Sequence, residues 1–166
     1  MTEPYTVTIE LFKEDMKFSA GHFTVFSPSH RERLHGHNFK VKASITLSVS
    51  ENGMPADYNI FKDKLRGLCG ELDEYFLIPT LSPHLKILDL GDKLEILHAE
   101  DKLLFYKKDL KLLPISNSTV EELAFYLTQQ CIADKSFMID YGVQALEVKV
   151  ASGEGQYAAY KWERNK

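Results

Sequence analysis

Apolar and polar residues alternate along the chain from His35 to Ser50. A period of two places every second side chain on one face of an extended strand, so the segment predicts a long strand with one apolar face. The residues that share this face are His35, His37, Phe39, Val41, Ala43, Ile45, Leu47 and Val49. The same alternation predicts an earlier strand ending at His22, preceded by a bulge or bend near Glu14 and another strand around Val7.

The remaining pattern predicts two helices. One begins after Asp57, a candidate cap, and shows helical spacing of apolar residues up to Pro79. The other begins after Asn117 or Ser118 and ends before Asp134. Between the predicted strands, the segment FTVFSPSHRER has no periodicity and reads as a loop.

Residues 80–115 form an insert in which LKILDL and KLEIL flank a Gly-Asp turn as a hairpin, and KLLFY follows as a short strand. Two alternating segments, ALEVKVA and QYAAYKW, follow the second helix as strands. The order predicts an α+β fold: an antiparallel sheet with two main helices on one face, arranged strand-strand-helix-helix-strand-strand with an inserted hairpin.

Length and charge narrow the class of protein. A chain of 166 residues with 44% apolar and 27% charged residues predicts a single domain over residues 1–166. A formal charge of -4 gives no basic field, so nucleic acid is not an expected partner. No apolar run is long enough to span a membrane and the first residues lack a signal-peptide pattern, which predicts a cytoplasmic protein. Cys69 and Cys131 are far apart and are expected to be reduced, structural thiols.

Three histidines are candidate metal ligands. His35 and His37 leave the same face of their strand, and Gly36 between them leaves room for a neighbouring backbone or a ligand. If the strand ending at His22 pairs with them, three imidazoles converge, which suits zinc with an open fourth position. A single histidine on an apolar face is more often a hydrogen-bonded core residue, so these residues alone leave a metal site and no metal both open. The other histidines, His30, His84 and His98, are expected at the surface or in loops.

The segments FSAGHF, LHGHNF, ADYNIFK, LDEYFL, STVEELA and AAY resemble the 6-pyruvoyltetrahydropterin synthase family, which includes the 6-carboxytetrahydropterin synthases. The resemblance runs from about Lys17 onward, interrupted by the insert. It implies the tunnelling fold, in which strands of several subunits join into a barrel, commonly in a homohexamer with sites between subunits. It also implies that His22, His35 and His37 bind Zn²⁺, and that the substrate is the pterin 7,8-dihydroneopterin triphosphate, from which a base removes side-chain protons.

The sequence departs from the family pattern at the base. The usual cysteine before HGH is absent, and Glu32 forms ExxHGH, similar to a branch in which glutamate replaces cysteine and the side chain is lost by retro-aldol cleavage. Alternatively, Glu32 pairs with Arg31 or Arg33 in a solvated loop. In LDEYFL, Asp73 is retained but Glu74 replaces the histidine that relays the proton. These two form either an altered relay or a helix end that faces water.

A third departure concerns the pterin ring. The family spacing places Ser152 where a glutamate normally holds the ring, while Glu154 follows two residues later. A guanidine-like ring edge needs a carboxylate, so either the turn brings Glu154 into the site or the ligand is not an ordinary pterin. Glu121 matches the family's Thr-x-Glu motif and is a further candidate for substrate binding.

These features predict a zinc-dependent pterin lyase in which Glu32 is the base and Asp73 with Glu74 forms an altered relay. Two other functions stay open. One is a zinc hydrolase or hydratase that ionises water at the open position. The other is a zinc- or pterin-binding protein that kept the fold and the metal but lost catalysis.

Overall fold

A computed structural model describes residues 5–49 and 51–164, so Ser50 at the end of the predicted long strand lies outside the described residues. The strands are β1 (Tyr5–Leu11), β2 (Lys17–His22), β3 (Val25–Ser27), β4 (His30–Arg31), β5 (His35–Val49), β6 (Tyr75–Pro79), β7 (Lys86–Asp89), β8 (Lys93–His98), β9 (Asp101–Tyr106), β10 (Leu110–Leu113), β11 (Val143–Gly153) and β12 (Gln156–Glu163). The helices are α1 (Asn59–Gly70), α2 (Val120–Ala133) and α3 (Lys135–Asp140), with a 3₁₀ turn at Lys107–Asp109.

Strand β5 organises the main sheet, whose order is β10-β6-β2-β5-β11-β12 with β1 also beside β5. β2 and β1 pair with successive halves of the same edge of β5, from His22 opposite His35 to Tyr5 opposite Val49. The predicted bend near Glu14 therefore lies between β1 and β2, which both pair with β5. The pairings of β5 are antiparallel, and the structure adds two parallel pairings, β6 with β2 and β10 with β6.

One hydrophobic core lies between this sheet and the helices. The apolar face of β5 is buried at Phe39, Val41, Ala43, Ile45 and Leu47, each at most 2% exposed. It packs against side chains of α1, α2 and α3. Full burial of a side chain as large as Phe, Val, Ile or Leu stabilises the fold by about 1.5–3 kcal/mol, so this face fixes the register of the strand. The predicted α+β fold is confirmed.

Within the insert, β7, β8 and β9 form a separate three-stranded antiparallel sheet, while β10 near its end pairs with β6 of the main sheet. The predicted hairpin turns at Gly91, whose φ of 90° suits glycine, and KLLFY is the third strand. A second buried cluster joins the insert to the segment that follows His22 and to β6 and β10. Its members are Phe23, Val25, Ile78, Leu94, Ile96 and Leu110.

Two predicted element types are wrong. Helix α1 ends at Gly70 rather than Pro79, because YFLIP forms strand β6 and pairs with β2 and β10. The segment FTVFSPSHRER is not all loop, since β3 and β4 pair as a short hairpin, with Val25 opposite Arg31 and Ser27 opposite His30. This hairpin leads directly to Glu32.

The helix caps and one histidine also differ from expectation. Asp57 Oδ1 accepts a hydrogen bond from the Asn59 backbone N–H, but the residue that directly precedes α1 is Tyr58. Thr119 caps α2, in place of Asn117 or Ser118. His98 is buried rather than at the surface, with 2% of the residue exposed. No helix in the described part of the chain combines the length and the apolar character needed to cross a membrane.

Candidate metal and catalytic site

The pairing of β2 with β5 brings the three predicted histidines together. His22 lies directly opposite His35, and His37 follows on the same face of β5. The ring centroids of His22 and His35 are 4.5 Å apart, those of His22 and His37 are 5.2 Å apart, and those of His35 and His37 are 4.9 Å apart. One nitrogen from each ring lies within 4.8 Å of the others. The predicted convergence of the three imidazoles is confirmed.

Hydrogen bonds determine which nitrogen of the His22 and His35 rings carries the proton. His22 Nδ1–H donates to the carbonyl oxygen of Ser118 at 2.7 Å, and His35 Nδ1–H donates to that of Arg33 at 2.8 Å. Because a carbonyl oxygen only accepts, each neutral ring carries its proton on Nδ1 and presents a lone pair on Nε2. His22 Nε2 is buried without a hydrogen-bond partner, and the Nε2 atoms of His35 and His37 are 3.1 Å apart. An orphaned nitrogen beside two others fits a metal ion, and backbone-held Nδ1 atoms are the usual support for such ligands.

The charge state of His22 also suits a ligand. Burial lowers the pKa of His22, the two neighbouring histidines add to this, and the hydrogen bond to Ser118 opposes it only in part. The pKa therefore lies below its ordinary value, and the ring is neutral near pH 7, as a metal ligand must be.

Glu32 lies directly after β4 and next to the histidines. Its carboxylate Oε2 accepts a hydrogen bond from the Thr24 backbone N–H at 2.9 Å and lies 3.9 Å from His35 Nε2. Its own N–H donates to the Thr24 carbonyl at 2.8 Å. Partial burial raises the pKa of Glu32, but hydrogen bonding to Thr24 and the nearby histidines His35 and His22 outweigh it and lower the pKa. The carboxylate is therefore ionised near pH 7.

The neighbouring arginines do not neutralise this carboxylate. Within residues 5–49 and 51–164, no ion pair joins Glu32 to Arg31 or Arg33. Arg31 Nη2 instead donates to Asp101 at 2.6 Å, and Arg31 Nη1 donates to the main-chain carbonyl of Glu32 at 2.8 Å. The expected ion pair of Glu32 with Arg31 or Arg33 is therefore not formed among the described residues, and the Glu32 carboxylate lies beside His35 instead. Its role as the base stays a prediction.

Asp73 and Glu74 lie in the turn between α1 and β6, where both contact the main chain of Ser19 in β2. Asp73 Oδ1 accepts from the Ser19 N–H at 2.7 Å, and the Glu74 N–H donates to the Ser19 carbonyl at 2.7 Å. Both residues are exposed, and Glu74 has a φ of 63°. Among the described residues, neither carboxylate has a hydrogen bond or ion pair with Glu32 or the three histidines. They precede β6 rather than end a helix.

The predicted pterin-binding residues are spread around the sheet. Ser152 is half-buried near the end of β11, where the pairing with β12 shifts register. Glu154 is exposed in the following turn and lines a cleft of about 320 Å³ with Lys40 and Lys42, which leave β5 on the face opposite His37. Glu121 is exposed in the first turn of α2, three residues after the Ser118 carbonyl that holds His22. The substrate-binding roles of all three stay predictions.

Two residues that position the site were not predicted from the sequence. Ser118 orients His22 and Thr24 holds Glu32, both through main-chain atoms. Any residue type can make a main-chain contact, so the sequence does not reveal these roles. Only Ser118 stood out in the sequence, because it lies beside the start of α2.

Known proteins share this arrangement of elements. The sequence profile of the 6-pyruvoyl tetrahydropterin synthase family matches residues 10–163. A putative 6-carboxy-5,6,7,8-tetrahydropterin synthase of Methanocaldococcus jannaschii is 29% identical over 149 residues, which cover 88% of this chain and 90% of that protein. The structure of 6-pyruvoyl tetrahydropterin synthase from Plasmodium vivax superposes with a TM-score of 0.90 at 29% identity, covering 96% of this chain and 99% of that one.

Two further structures of the P. vivax protein, each with a TM-score of 0.90 and 28% identity over 96% of this chain and 99% of that one, carry substitutions of a glutamate described as a catalytic residue. In one of them the glutamate is replaced by alanine, and in the other by cysteine.

The match over residues 10–163 shows that this chain belongs to the 6-pyruvoyl tetrahydropterin synthase family of pterin-biosynthesis enzymes.

Proposed function

We propose that the protein is a zinc-dependent lyase that acts on 7,8-dihydroneopterin triphosphate or a closely related pterin, with Glu32 as the base. The observation that carries this proposal is the position of the Glu32 carboxylate, which is free of both neighbouring arginines and lies 3.9 Å from His35 Nε2. Family membership supplies the pterin chemistry, and the three histidines supply the donor set.

The histidines His22, His35 and His37 would hold the zinc ion through their Nε2 atoms. Bound there, zinc would act as a Lewis acid on the hydroxyl groups of the pterin side chain. The carbonyl groups of Ser118 and Arg33 keep two of the rings oriented, so the donor set is formed before any ligand arrives.

Glu32 fits the role of the base in both charge and orientation. Its lowered pKa keeps it ionised, so the carboxylate can accept a proton. The hydrogen bond from the Thr24 N–H holds Oε2, the oxygen that lies 3.9 Å from His35 Nε2, and so orients the carboxylate beside the histidines. A proton taken from the pterin side chain leads either to elimination of the triphosphate or to retro-aldol cleavage of the side chain.

A thiolate base is not available in this chain. Cys69 and Cys131 are both buried in helices, and burial is the main cause that raises the pKa of each to about 12. Neither thiol ionises near pH 7. The P. vivax enzyme, in which a glutamate is described as a catalytic residue, supports a carboxylate in this role.

In this proposal, Asp73 and Glu74 form an altered proton relay. The pterin is bound by Glu121, Ser152 and Glu154. Since Asp73 and Glu74 make no hydrogen bond or ion pair with Glu32 among the described residues, we infer that they reach the site from a neighbouring subunit of a homo-oligomer. The resemblance to a family with sites between subunits supports this assembly.

The test is to incubate the zinc-loaded protein with 7,8-dihydroneopterin triphosphate without oxygen and to identify the pterin product by mass spectrometry. Formation of 6-hydroxymethyl-7,8-dihydropterin is the expected result for a glutamate base. Glu32→Gln should reduce turnover by at least about 100-fold, because it keeps the shape of the side chain but removes the base. Glu100→Gln, at an exposed position in the insert, is the matched control and should turn over normally.

Other results would point to the alternatives. Unchanged turnover by Glu32→Gln would remove this residue from the mechanism. Tight pterin binding without any product would favour a binding protein that kept the fold. Hydrolysis of simple esters without any response to pterins would favour the zinc hydrolase.

A further inference from the structure

We propose that the insert positions the catalytic base: Asp101 holds Arg31 on the main chain of Glu32 and away from its carboxylate. We call this contact the Arg31–Asp101 clamp, and it rests on the proposed role of Glu32. The guanidinium group joins two acceptors, with Nη1 donating to the Glu32 carbonyl at 2.8 Å and Nη2 donating to Asp101 Oδ2 at 2.6 Å. Its planar fork allows one side chain to hold both at once.

The surroundings of Arg31 make Asp101 important. Only 15% of the Arg31 side chain is exposed, its guanidinium carbon lies 5.5 Å from the centroid of the Phe23 ring, and its Nε is buried without a partner. Asp101 is its one ion-pair partner within the described residues. A largely buried charge needs such a partner. If Asp101 were lost, the carboxylate of the next residue, Glu32, would become the available partner, and the base would be neutralised.

A second contact ties the insert to the same hairpin. His98, buried on β8, donates its Nε2–H to the Ser27 carbonyl at 2.9 Å. Ser27 lies at one end of the β3–β4 hairpin and Arg31 lies at the other. Phe23 and Val25 pack against insert residues in the second buried cluster. The insert therefore holds both sides of the segment that ends in Glu32.

The consequence for catalysis is geometric. The hydrogen bonds between Glu32 and Thr24 place the carboxylate beside His35, and the clamp holds the adjoining main chain. A displacement of a reacting group by about 1 Å can cost about 100-fold in rate. Because Glu32 acts in the chemical step, the loss should fall on kcat rather than on KM.

The first test compares Asp101→Asn with Asp89→Asn, which breaks a similar ion pair in the same insert. Asp89 Oδ2 lies 2.7 Å from Lys107 Nζ, and its side chain is 67% exposed, against 55% for Asp101. The hydrogen bonds of Asp89 do not reach the β3–β4 hairpin. We expect Asp101→Asn to lower kcat with 7,8-dihydroneopterin triphosphate by about 10-fold or more, with normal KM and zinc content. Asp89→Asn should match the wild type.

The second test measures hydrogen exchange by mass spectrometry in the metal-free protein. Asp101→Asn should speed exchange in peptides over residues 24–32. In this segment the Thr24 N–H donates to the Glu32 carboxylate and the Glu32 N–H donates to the Thr24 carbonyl. Peptides from α2 should be unchanged. For kcat, the Arg31→Lys Asp101→Asn double variant should lose no more than the poorer single variant, because both substitutions weaken the same ion pair.

The outcomes separate the clamp from the proposed lyase activity. Unchanged exchange over residues 24–32 in Asp101→Asn overturns the clamp, even if Glu32→Gln is inactive. Faster exchange that spreads to α2 also overturns it, because the insert would then act on global stability. Additive losses in the double variant count against it too. If the wild type leaves the pterin untouched, faster exchange confined to residues 24–32 still supports the clamp while the lyase proposal fails.

Discussion

The three histidines of the site are held with different degrees of constraint. His22 is 6% exposed, and its Nδ1 is tied to a main-chain carbonyl while its Nε2 has no partner. His35 is similarly tied, but 35% of its side chain is exposed. Burying an unpaired nitrogen costs free energy, so His22 gains most from a bound metal.

His22→Ala should weaken zinc binding by at least about 100-fold, because it removes one of three ligands as well as the one with the most constrained ring. The measurement is zinc affinity in competition with a chelator. His84→Ala, in the loop before β7, is the control and should bind zinc as the wild type does. Wild-type affinity in His22→Ala would show that the three nitrogens do not act as one metal site.

The sequence predicted the histidines better than it predicted the surroundings of Glu32. The period of two along β5 determines which face His35 and His37 share. The pairing that brings His22 opposite His35 joins β5 to β2, a strand that lies close to it in the sequence. The partner of Arg31, in contrast, is Asp101, 70 residues later in the insert. No local pattern distinguishes an arginine that pairs with its neighbour from one held by a distant strand.

Gly21 lies at the point where β6 of the main sheet packs against the insert. It pairs with Gly36 across β2 and β5, and a Cβ atom placed on Gly21 would lie 2.4 Å from the Phe76 ring. That ring stacks on Phe105 of β9 with centroids 4.9 Å apart. The glycine therefore makes room for an aromatic contact between β6 and the insert.

Gly21→Ala should lower the free energy of unfolding by about 1–3 kcal/mol, because the new methyl group forces the Phe76 ring out of its packed position. Gly67→Ala is the matched control, since the residue is inside helix α1 and, apart from its two chain neighbours and the backbone of its own helix, no described atom lies within 4 Å of the added Cβ. That change should raise stability by up to about 1 kcal/mol. Urea unfolding of both variants is the measurement, and equal effects would show that the Phe76 ring moves freely.

The boundary between α1 and β6 shows why some elements could not be predicted. Leu72 and Phe76 continue the helical spacing of α1, yet the chain leaves the helix at Gly70. The aromatic and β-branched composition of YFLIP favours a strand, but its parallel partners β2 and β10 are distant in sequence. Tertiary pairing therefore decides what local spacing leaves ambiguous. By comparison, the end of α2 at Ala133 was predicted because Asp134 is a local signal.

The main sheet, as formed by the described residues, is open and does not close into a barrel. In the described part of the chain, β12 pairs only with β11, and β1 pairs only with β5. Strands of seven and eight residues with an unpaired edge readily pair with another chain. These edges support the proposed homo-oligomer, in which the strands of several subunits join.

The proposed oligomer predicts that two inactive variants regain activity when their subunits are mixed. If Glu32 and Asp73 meet only across a subunit contact, mixing Glu32→Gln with Asp73→Asn and reassembling the oligomer should restore about a quarter of the wild-type turnover per site. Asparagine at position 73 keeps an oxygen for the Ser19 N–H, so the local fold is preserved.

The control for reassembly is each variant treated alone, which should stay inactive. A chain that carries both substitutions, mixed with wild type, should also give about a quarter of the sites intact, because complete sites then come from pairs of wild-type subunits. Restored activity places the base and the relay on different chains. If the mixed variants stay inactive while the wild-type mixture reassembles, Asp73 acts within its own chain, and its bond to Ser19 would have to break during catalysis.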